Sequence, residues 1–267
     1  MARRRLHHAA ALFVWAAALL SSPSPARAET EVDLALVIAV DVSYSMDPDE
    51  QTLQREGFAQ AFRTAQVQDA IRKGLLGRIA VAYMEWAGAA DQKVVIPWVV
   101  LDNPETILAF ADRIQSSPMR RAQRTSISGA IDFSMKLLAE SGVIALRQVI
   151  DVSGDGPNNQ GRPVTLARNE AVARGITVNG LPIMLKQAGY FDIPELDVYY
   201  RECVIGGQGA FMIPARDRDQ FQQAIKTKIL LEVAGRVPAE PLLKRVQASP
   251  LANCMVGETQ WRDRMGN

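Results

Sequence analysis

Residues 32–40 form an apolar run interrupted only by Asp33. Its length and β-branched content suit a strand buried on both faces. The run ends in Asp41-Val42-Ser43-Tyr44-Ser45. Alternate positions of an extended stretch share a face, so Asp41, Ser43 and Ser45 converge where the strand gives way to a loop. The period then changes from two to 3.6. Leu53, Phe58, Ala61, Phe62 and Ala65 hold helical spacing to about Ile71, behind a start signal in which Asp47 caps, Pro48 opens the first turn and Glu50 occupies the capping-box position. Residues 78–86 and 94–100 read as strands joined by a connection short enough for a hairpin, and Pro97 makes the second an edge strand. Helical patterns over 104–114 and 128–140 flank a polar, basic loop at 116–124. A fourth strand at 148–153 runs into Gly154-Asp155-Gly156, followed by a helix at 163–174, a fifth strand at 176–181, a short sixth at 210–213 and a helix at 216–234. This alternation predicts an α/β fold: a doubly wound, mostly parallel six-stranded sheet with helices on both faces and one antiparallel edge strand.

The first 28 residues stand apart from this pattern. Arg3-Arg4-Arg5, an apolar stretch at 9–20 and Ala26-Arg27-Ala28 have the layout of a secretory signal peptide cleaved before Glu29. The adjacent arginines leave the general secretory and twin-arginine routes both open. No cysteine follows the cleavage point, so no lipid anchor is expected, and no later apolar run is long enough to span a bilayer. The expected product is therefore extracytoplasmic, periplasmic or secreted. Its domain would occupy 29–235. An extension at 236–267, with Pro238, Pro241, Pro250 and Gly257, has little periodicity.

Removing the leader alters what chemistry is available. Arg3, Arg4, Arg5 and Arg27 go with it, leaving 26 basic against 29 acidic residues, a net charge of −3. That balance does not fit a nucleic-acid binder. Both histidines, His7 and His8, lie in the leader. The remaining chain has no imidazole for a Ser-His-Asp or Cys-His site or for a histidine-ligated metal. The only cysteines, Cys203 and Cys254, would most simply form one disulfide in an oxidising compartment, tying the extension back to the domain; two buried thiols are the alternative.

Oxygen chemistry remains. In an open α/β sheet, ligands bind beyond the carboxyl ends of the strands where strand order reverses. The loops after strands one and four fall there and carry Asp41, Ser43, Ser45 and Asp155. A third loop offers Thr125 in Arg124-Thr125-Ser126-Ile127-Ser128-Gly129-Ala130-Ile131. One carboxylate and two hydroxyls without nitrogen or sulfur suit a hard divalent cation. Caps and turns are the competing account of the same side chains.

These residues together resemble the von Willebrand factor type A (VWA) family. Asp-x-Ser-x-Ser after a hydrophobic strand, a threonine five residues before Ala130-Ile131 and an Asp-Gly after the fourth strand match its metal-ion-dependent adhesion site, over residues 31–234. The third loop departs from the family pattern, with Arg120, Arg121 and Arg124 in place of glycines, and Gly154 stands where a threonine is more familiar. The resemblance implies a Rossmann-like sheet and a metal site made of Asp41, Ser43, Ser45, Thr125 and Asp155. It implies Mg²⁺ as occupant, with Mn²⁺ or Ca²⁺ as alternatives, and a non-enzymatic protein-binding role in which a partner's Asp or Glu completes the coordination. Glu85, Arg121, Arg124 and Asn158 are candidates for the rim of that site; strand-end packing, a solvated loop and a turn are their competing accounts.

Two enzyme classes fit less well. A phosphohydrolase with Asp41 as nucleophile resembles the haloacid dehalogenase start, but Ser43 stands where that chemistry needs a second acid. For nucleotides there is neither a Gly-x-Gly-x-x-Gly after the first strand nor a Gly-Lys-Ser/Thr loop, and Gly206-Gly207-Gln208-Gly209 reads as a turn.

Overall fold

Asp33 divides the first apolar run into two strands: Thr30–Val32 is β1 and Leu34–Asp41 is β2. Its carboxylate accepts the backbone N–H groups of Leu76 and Arg78, which satisfies an acid at that otherwise apolar position. A computed structural model describes residues 29–186, 193–235 and 252–266. The expected leader, 1–28, lies outside the described residues, as does 236–251 of the extension.

β2 is buried along all eight residues at the centre of a five-stranded sheet. Its companions are β3 (Ile79–Trp86), β4 (Gln92–Leu101), β6 (Gln148–Gly154) and β7 (Thr177–Pro182), in the order β4-β3-β2-β6-β7. All pair in parallel except β4, which is antiparallel to β3 and holds Pro97 on the sheet's edge. A separate small sheet pairs β1 with β5 (Val143–Ala145). The sequence-based count of six strands in one sheet is corrected to five. Residues 210–213 meet the edge at β7 through single bridges, Gly180 with Met212 and Ile183 with Ala215, rather than a ladder. Gly207 and Gly209, at φ 100° and 67°, turn the chain just before it; backbone bonds from Ile213 N to Gly180 O and from Ala215 N to Pro182 O continue along the edge, but Pro182 has no N–H to return one between those of Gly180 and Met184.

The long helix expected after β2 is two helices, α1 (Pro48–Arg63) and α2 (Ala65–Arg72). Thr64 breaks the path: extended at φ −73° and ψ 139°, it caps α2 through its hydroxyl. The capping box of Asp47 and Glu50 forms as expected. The remaining helices are α3 (Pro104–Ser116), α4 (Ile127–Ala139), α5 (Val164–Ala173), α6 (Leu196–Tyr199), α7 (Phe221–Ala234) and α8 (Val256–Met265), with a π-helical turn at Tyr200–Val204.

Alternation along β2 sorts the core. Leu34, Leu36, Ile38 and Val40 pack with Phe58, Phe62, Phe110, Phe221 and Ile225 on the side of α1, α3 and α7. Ala35, Val37 and Ala39 face Ile131, Ala167, Tyr199 and Tyr200 on the side of α4, α5 and α6. The order reverses between β2 and β6, which brings the loops at their carboxyl ends side by side. α8 was not legible as a helix in the aperiodic extension; a Cys203–Cys254 disulfide secures its start.

Candidate functional site

Asp41 ends β2 in register with Trp86 of β3 and is fully buried. Its Oδ1 accepts the N–H of Ser43 at 2.7 Å, which closes a tight turn and aims the next side chains along the sheet edge. Ser43 Oγ lies 2.7 Å from Ser45 Oγ, and Ser45 donates to Asp155 Oδ1 at 2.6 Å. Loops 110 residues apart in sequence are thus joined by one hydroxyl. Gly154 allows the approach: a Cβ there would stand 2.8 Å from Asp41 Oδ2 and 3.1 Å from Tyr200 Oη. This is a physical reason for glycine where the resemblance led one to look for threonine.

Among the described residues, the buried Asp41 Oδ2 has no hydrogen-bond partner. Burial first, and then the charge of Asp155, hold the Asp41 carboxyl well above its usual range; the N–H groups of Ser43 and Asp155 oppose this only in part. A buried acid with an oxygen to spare is an arrangement that a cation would relieve.

Thr125 arrives from the loop between α3 and α4. Ala122 donates to Val42 O at 3.0 Å, which seats that loop against the turn after β2. Asn159 then clamps Thr125 on both backbone groups: its Oδ1 accepts the Thr125 N–H at 2.9 Å, and its own N–H donates to Thr125 O at 2.8 Å. Ser126 caps α4 by accepting from Gly129 at 3.1 Å. Ser43, Ser45 and Thr125 line one cavity of about 640 Å³. Asp155 borders a neighbouring hollow with Glu50 and Lys186.

Sequence reading did not single out Lys186. Its Nζ donates to Ser45 O at 2.5 Å, lies 3.5 Å from Asp155 Oδ2 and forms an ion pair with Glu50. Partial burial disfavours its charge, but Glu50, Asp155 and Asp47 outweigh that and hold its pKa above the usual lysine value. No pattern marked it, because it follows β7 and reaches the site only through the fold.

The four rim candidates separate. Glu85 is buried, paired with Arg55 at 2.7 Å and Arg120 at 2.8 Å, and so belongs to strand-end packing rather than to the cavity wall. Asn158 is also fully buried: it accepts from Ser128 N at 2.9 Å and donates to Glu258 Oε1 at 2.7 Å, acting as a brace beneath α8. Arg121 donates to Tyr44 O at 2.7 Å and lies over the Tyr44 ring, near the mouth. Arg124 lines the cavity. It is the one non-glycine residue with positive φ among the described residues, at 74°. α8 supplies Gly257, Gln260, Trp261 and Arg264 to the same cavity, a contribution missed because the extension carries no motif.

Among the described residues no group of three His, Cys, Asp or Glu side chains is placed to hold a metal. A cation between these loops would be held by two carboxylates and neutral hydroxyls. No helix among the described residues is long and apolar enough to cross a membrane.

Comparison with known proteins follows the same outline. The profile of a family described as "Protein of unknown function (DUF1194)" matches residues 31–237. No curated protein matches the chain. Similar solved structures include proximal thread matrix protein 1 from the mussel byssus, at 15% identity over 76% of this chain and 49% of that one, with a TM-score of 0.56. A further structure of that protein, at 14% identity with the same coverage and a TM-score of 0.53, is described as having a zinc-occupied MIDAS motif. The von Willebrand factor type A protein from Catenulispora acidiphila aligns at 12% identity over 76% of this chain and 43% of that one, with a TM-score of 0.54. The vWF domain of the type V pili tip protein Mfa5 from Porphyromonas gingivalis aligns at 10% identity over 78% and 98%, with a TM-score of 0.53. The fold is that of a VWA domain. The chain spans about half the length of the mussel structures it matches.

Proposed function

The chain belongs to the family described as protein of unknown function DUF1194, and we propose that it is an extracytoplasmic, non-enzymatic module that binds an acidic group of a partner protein through a divalent cation. One observation carries this reading: the buried Asp41 Oδ2, without a hydrogen-bond partner among the described residues, lies where Ser43, Ser45 and the loop of Asp155 come together beside the cavity that Thr125 lines. Residues 29–235 form the binding domain and 236–267 its extension. Ser43, Ser45 and Thr125 offer hydroxyls to the ion, and Asp41 and Asp155 balance its charge directly or through water. The bound cation supplies an open coordination position for an outside carboxylate. Mg²⁺ suits a site with few carboxylates and retained water, and Mn²⁺ or Ca²⁺ suit the same oxygens. The zinc-occupied motif named for the mussel protein supports a divalent ion at this place in the fold. The Cys203–Cys254 disulfide supports an oxidising compartment, in keeping with a leader at 1–28.

The phosphohydrolase alternative finds less support. Asp41 is 0% exposed and its Oδ1 is occupied by Ser43 N–H, so it is poorly placed for attack on a phosphorus atom. Calorimetric titration of residues 29–267 with Mg²⁺, Mn²⁺ and Zn²⁺ tests the reading. Wild type should bind one ion, while Asp41→Ala and Thr125→Ala lose or sharply weaken it. Equal binding by all three proteins, or turnover of p-nitrophenyl phosphate that depends on Asp41, would overturn it.

A further inference from the structure

The extension is built into the site. Three anchors fix α8 against the carboxyl edge of the sheet. The Cys203–Cys254 disulfide holds its start. Gly257 lies so close to the loop after β6 that a Cβ would come within 2.1 Å of Asn158 O. Glu258 accepts the buried Asn158 side chain at 2.7 Å. From this fixed helix Trp261 reaches the strained loop before Thr125: the Arg124 guanidinium stacks on its ring at 3.5 Å. Arg124 holds a left-handed conformation that a non-glycine residue adopts only at a cost, so the stack and the loop geometry support each other.

This wall changes the shape of what can bind. Ser43, Ser45 and Thr125 line a cleft of about 640 Å³, a size typical of ligand pockets, while Asp155 borders the hollow beside it. Pro157 and Trp261 both line this cleft, which suits a narrow chain better than the flat surface of a folded domain. The cleft is also basic, since Arg124 and Arg264 line it and Arg121 covers Tyr44 at its mouth, whereas residues 29–267 together carry a net charge of −3. Tyr44 and Trp261 line it with rings that already carry guanidinium groups, Arg121 over the first and Arg124 and Arg264 over the second, so each pairs an apolar edge for a peptide backbone with a charge for its carboxylate.

We propose that the cleft between α8 and the oxygen cluster receives an acidic, extended peptide segment, with one carboxylate directed to the cation and its backbone lying against Trp261 and Arg124. This rests on the metal reading above and names the kind of partner that site takes.

The test uses residues 29–267 with Mg²⁺ and a fluorescein-labelled octapeptide of Gly, Ala and Pro ending in Asp-Glu, read by fluorescence anisotropy. Its neutral Asn-Gln version and succinate, as an unlabelled competitor, are the other arms. Wild type should bind the acidic peptide, fail to bind the neutral one and resist succinate at concentrations where unlabelled peptide competes. Trp261→Ala should weaken the peptide roughly tenfold or more, while Mg²⁺ affinity by calorimetry stays within about twofold. Arg124→Gln, which removes the guanidinium but keeps Trp261 and every other residue of α8, should weaken it in the same direction. Unchanged peptide binding by both variants overturns the proposal, as does succinate competing as well as the peptide. Normal Mg²⁺ binding with no peptide binding overturns it too and leaves the metal reading intact. Peptide binding that survives in Asp41→Ala overturns the carboxylate-to-cation contact and with it both the proposal and the metal reading, even where Trp261→Ala abolishes it.

Discussion

β6 and its loop carry two aspartates four residues apart that meet opposite fates. Asp151, in the middle of the strand, faces Lys228 of α7, whose Nζ lies 2.7 Å from its Oδ1. Lys228 also pairs with Glu232, and Asn179 donates to both oxygens of that acid at 2.9 Å. All four side chains are buried, and Phe211 closes over the ammonium at 4.6 Å. Asp155, at the strand's end, joins Asp41 through serines; among the described residues Asp41 Oδ2 has no hydrogen-bond partner, and neither has Asp151 Oδ2, so the difference lies in the ammonium buried beside Asp151. The lower cluster has its own cation locked inside. The upper cluster has hydroxyls, an open cleft and, among the described residues, the borrowed charge of Lys186 at its edge. Two buried acids in one fold therefore show what a sealed structural solution looks like and, by contrast, what an unfinished one invites.

The largest break in that contrast comes from the lower cluster. Lys228→Met leaves Asp151 and Glu232 buried without their cation, and should cost about 3–5 kcal/mol in urea unfolding. Glu232 already has its pKa raised by burial, against the pull of Lys228, so the variant should regain stability at acid pH as that carboxylate takes up a proton. Adding Asp151→Leu should recover part of the loss. A loss under about 1 kcal/mol would remove the structural role.

The upper cluster should answer in the opposite sense. Mg²⁺ at a hundredfold excess over its dissociation constant should stabilise the wild type by about 2.7 kcal/mol. Asp41→Asn should abolish that gain and, by relieving a buried charge, raise metal-free stability by about 1 kcal/mol. The pH dependence follows from the direction of the Asp41 shift. Its folded pKa is raised, so its contribution to metal-free stability is full below the ordinary value of 3.8 and is lost as pH rises through the folded value. A cation competes with that proton, so Mg²⁺ stabilisation should grow over the same rise. Thermal melts across pH with and without Mg²⁺ measure both slopes; parallel curves would sink the link between Asp41 and the ion.

How much of this was legible in the sequence depends on distance along the chain. Strand β2, the capping box at Asp47, the hairpin of β3 and β4 and the Asp41-Ser43-Ser45 turn are local patterns, written in spacing and composition. The oxygen cluster was legible because each of its three loops carries its own short signature. The stretch at 210–213 reads as a sixth strand because its apolar residues do not reveal that Gly207 and Gly209 turn the chain before it and that Pro182 of the facing strand lacks an N–H. Glu85 and Asn158 read as rim residues because sequence gives the end of an element but not whether a neighbour covers it; Arg55 and Arg120 cover the first and α8 the second. Lys186, Lys228 and Trp261 were silent, since each acts across a contact that only the folded chain makes.

Lys186 provides the finest test of the comparison, because it is the upper cluster's partial counterpart of Lys228. The two ammonium groups differ in access: Lys228 has no exposed side-chain surface, whereas Lys186 keeps 37%. A half-exposed charge is screened and can swing away, so it steadies Asp155 without filling the site as Lys228 fills its own. Its positive charge also lies close enough to Asp155 to oppose an incoming dication. Lys186→Gln should therefore strengthen Mg²⁺ binding by roughly fivefold, about 1 kcal/mol, with the difference shrinking as salt is raised from 10 mM to 500 mM. Calorimetry on both proteins at the two ionic strengths decides the matter. Equal affinities at low salt would mean that the ammonium does not compete with the ion; weaker binding by Lys186→Gln would mean that Lys186 organises Asp155 for the ion, and would make the upper cluster more like the lower one.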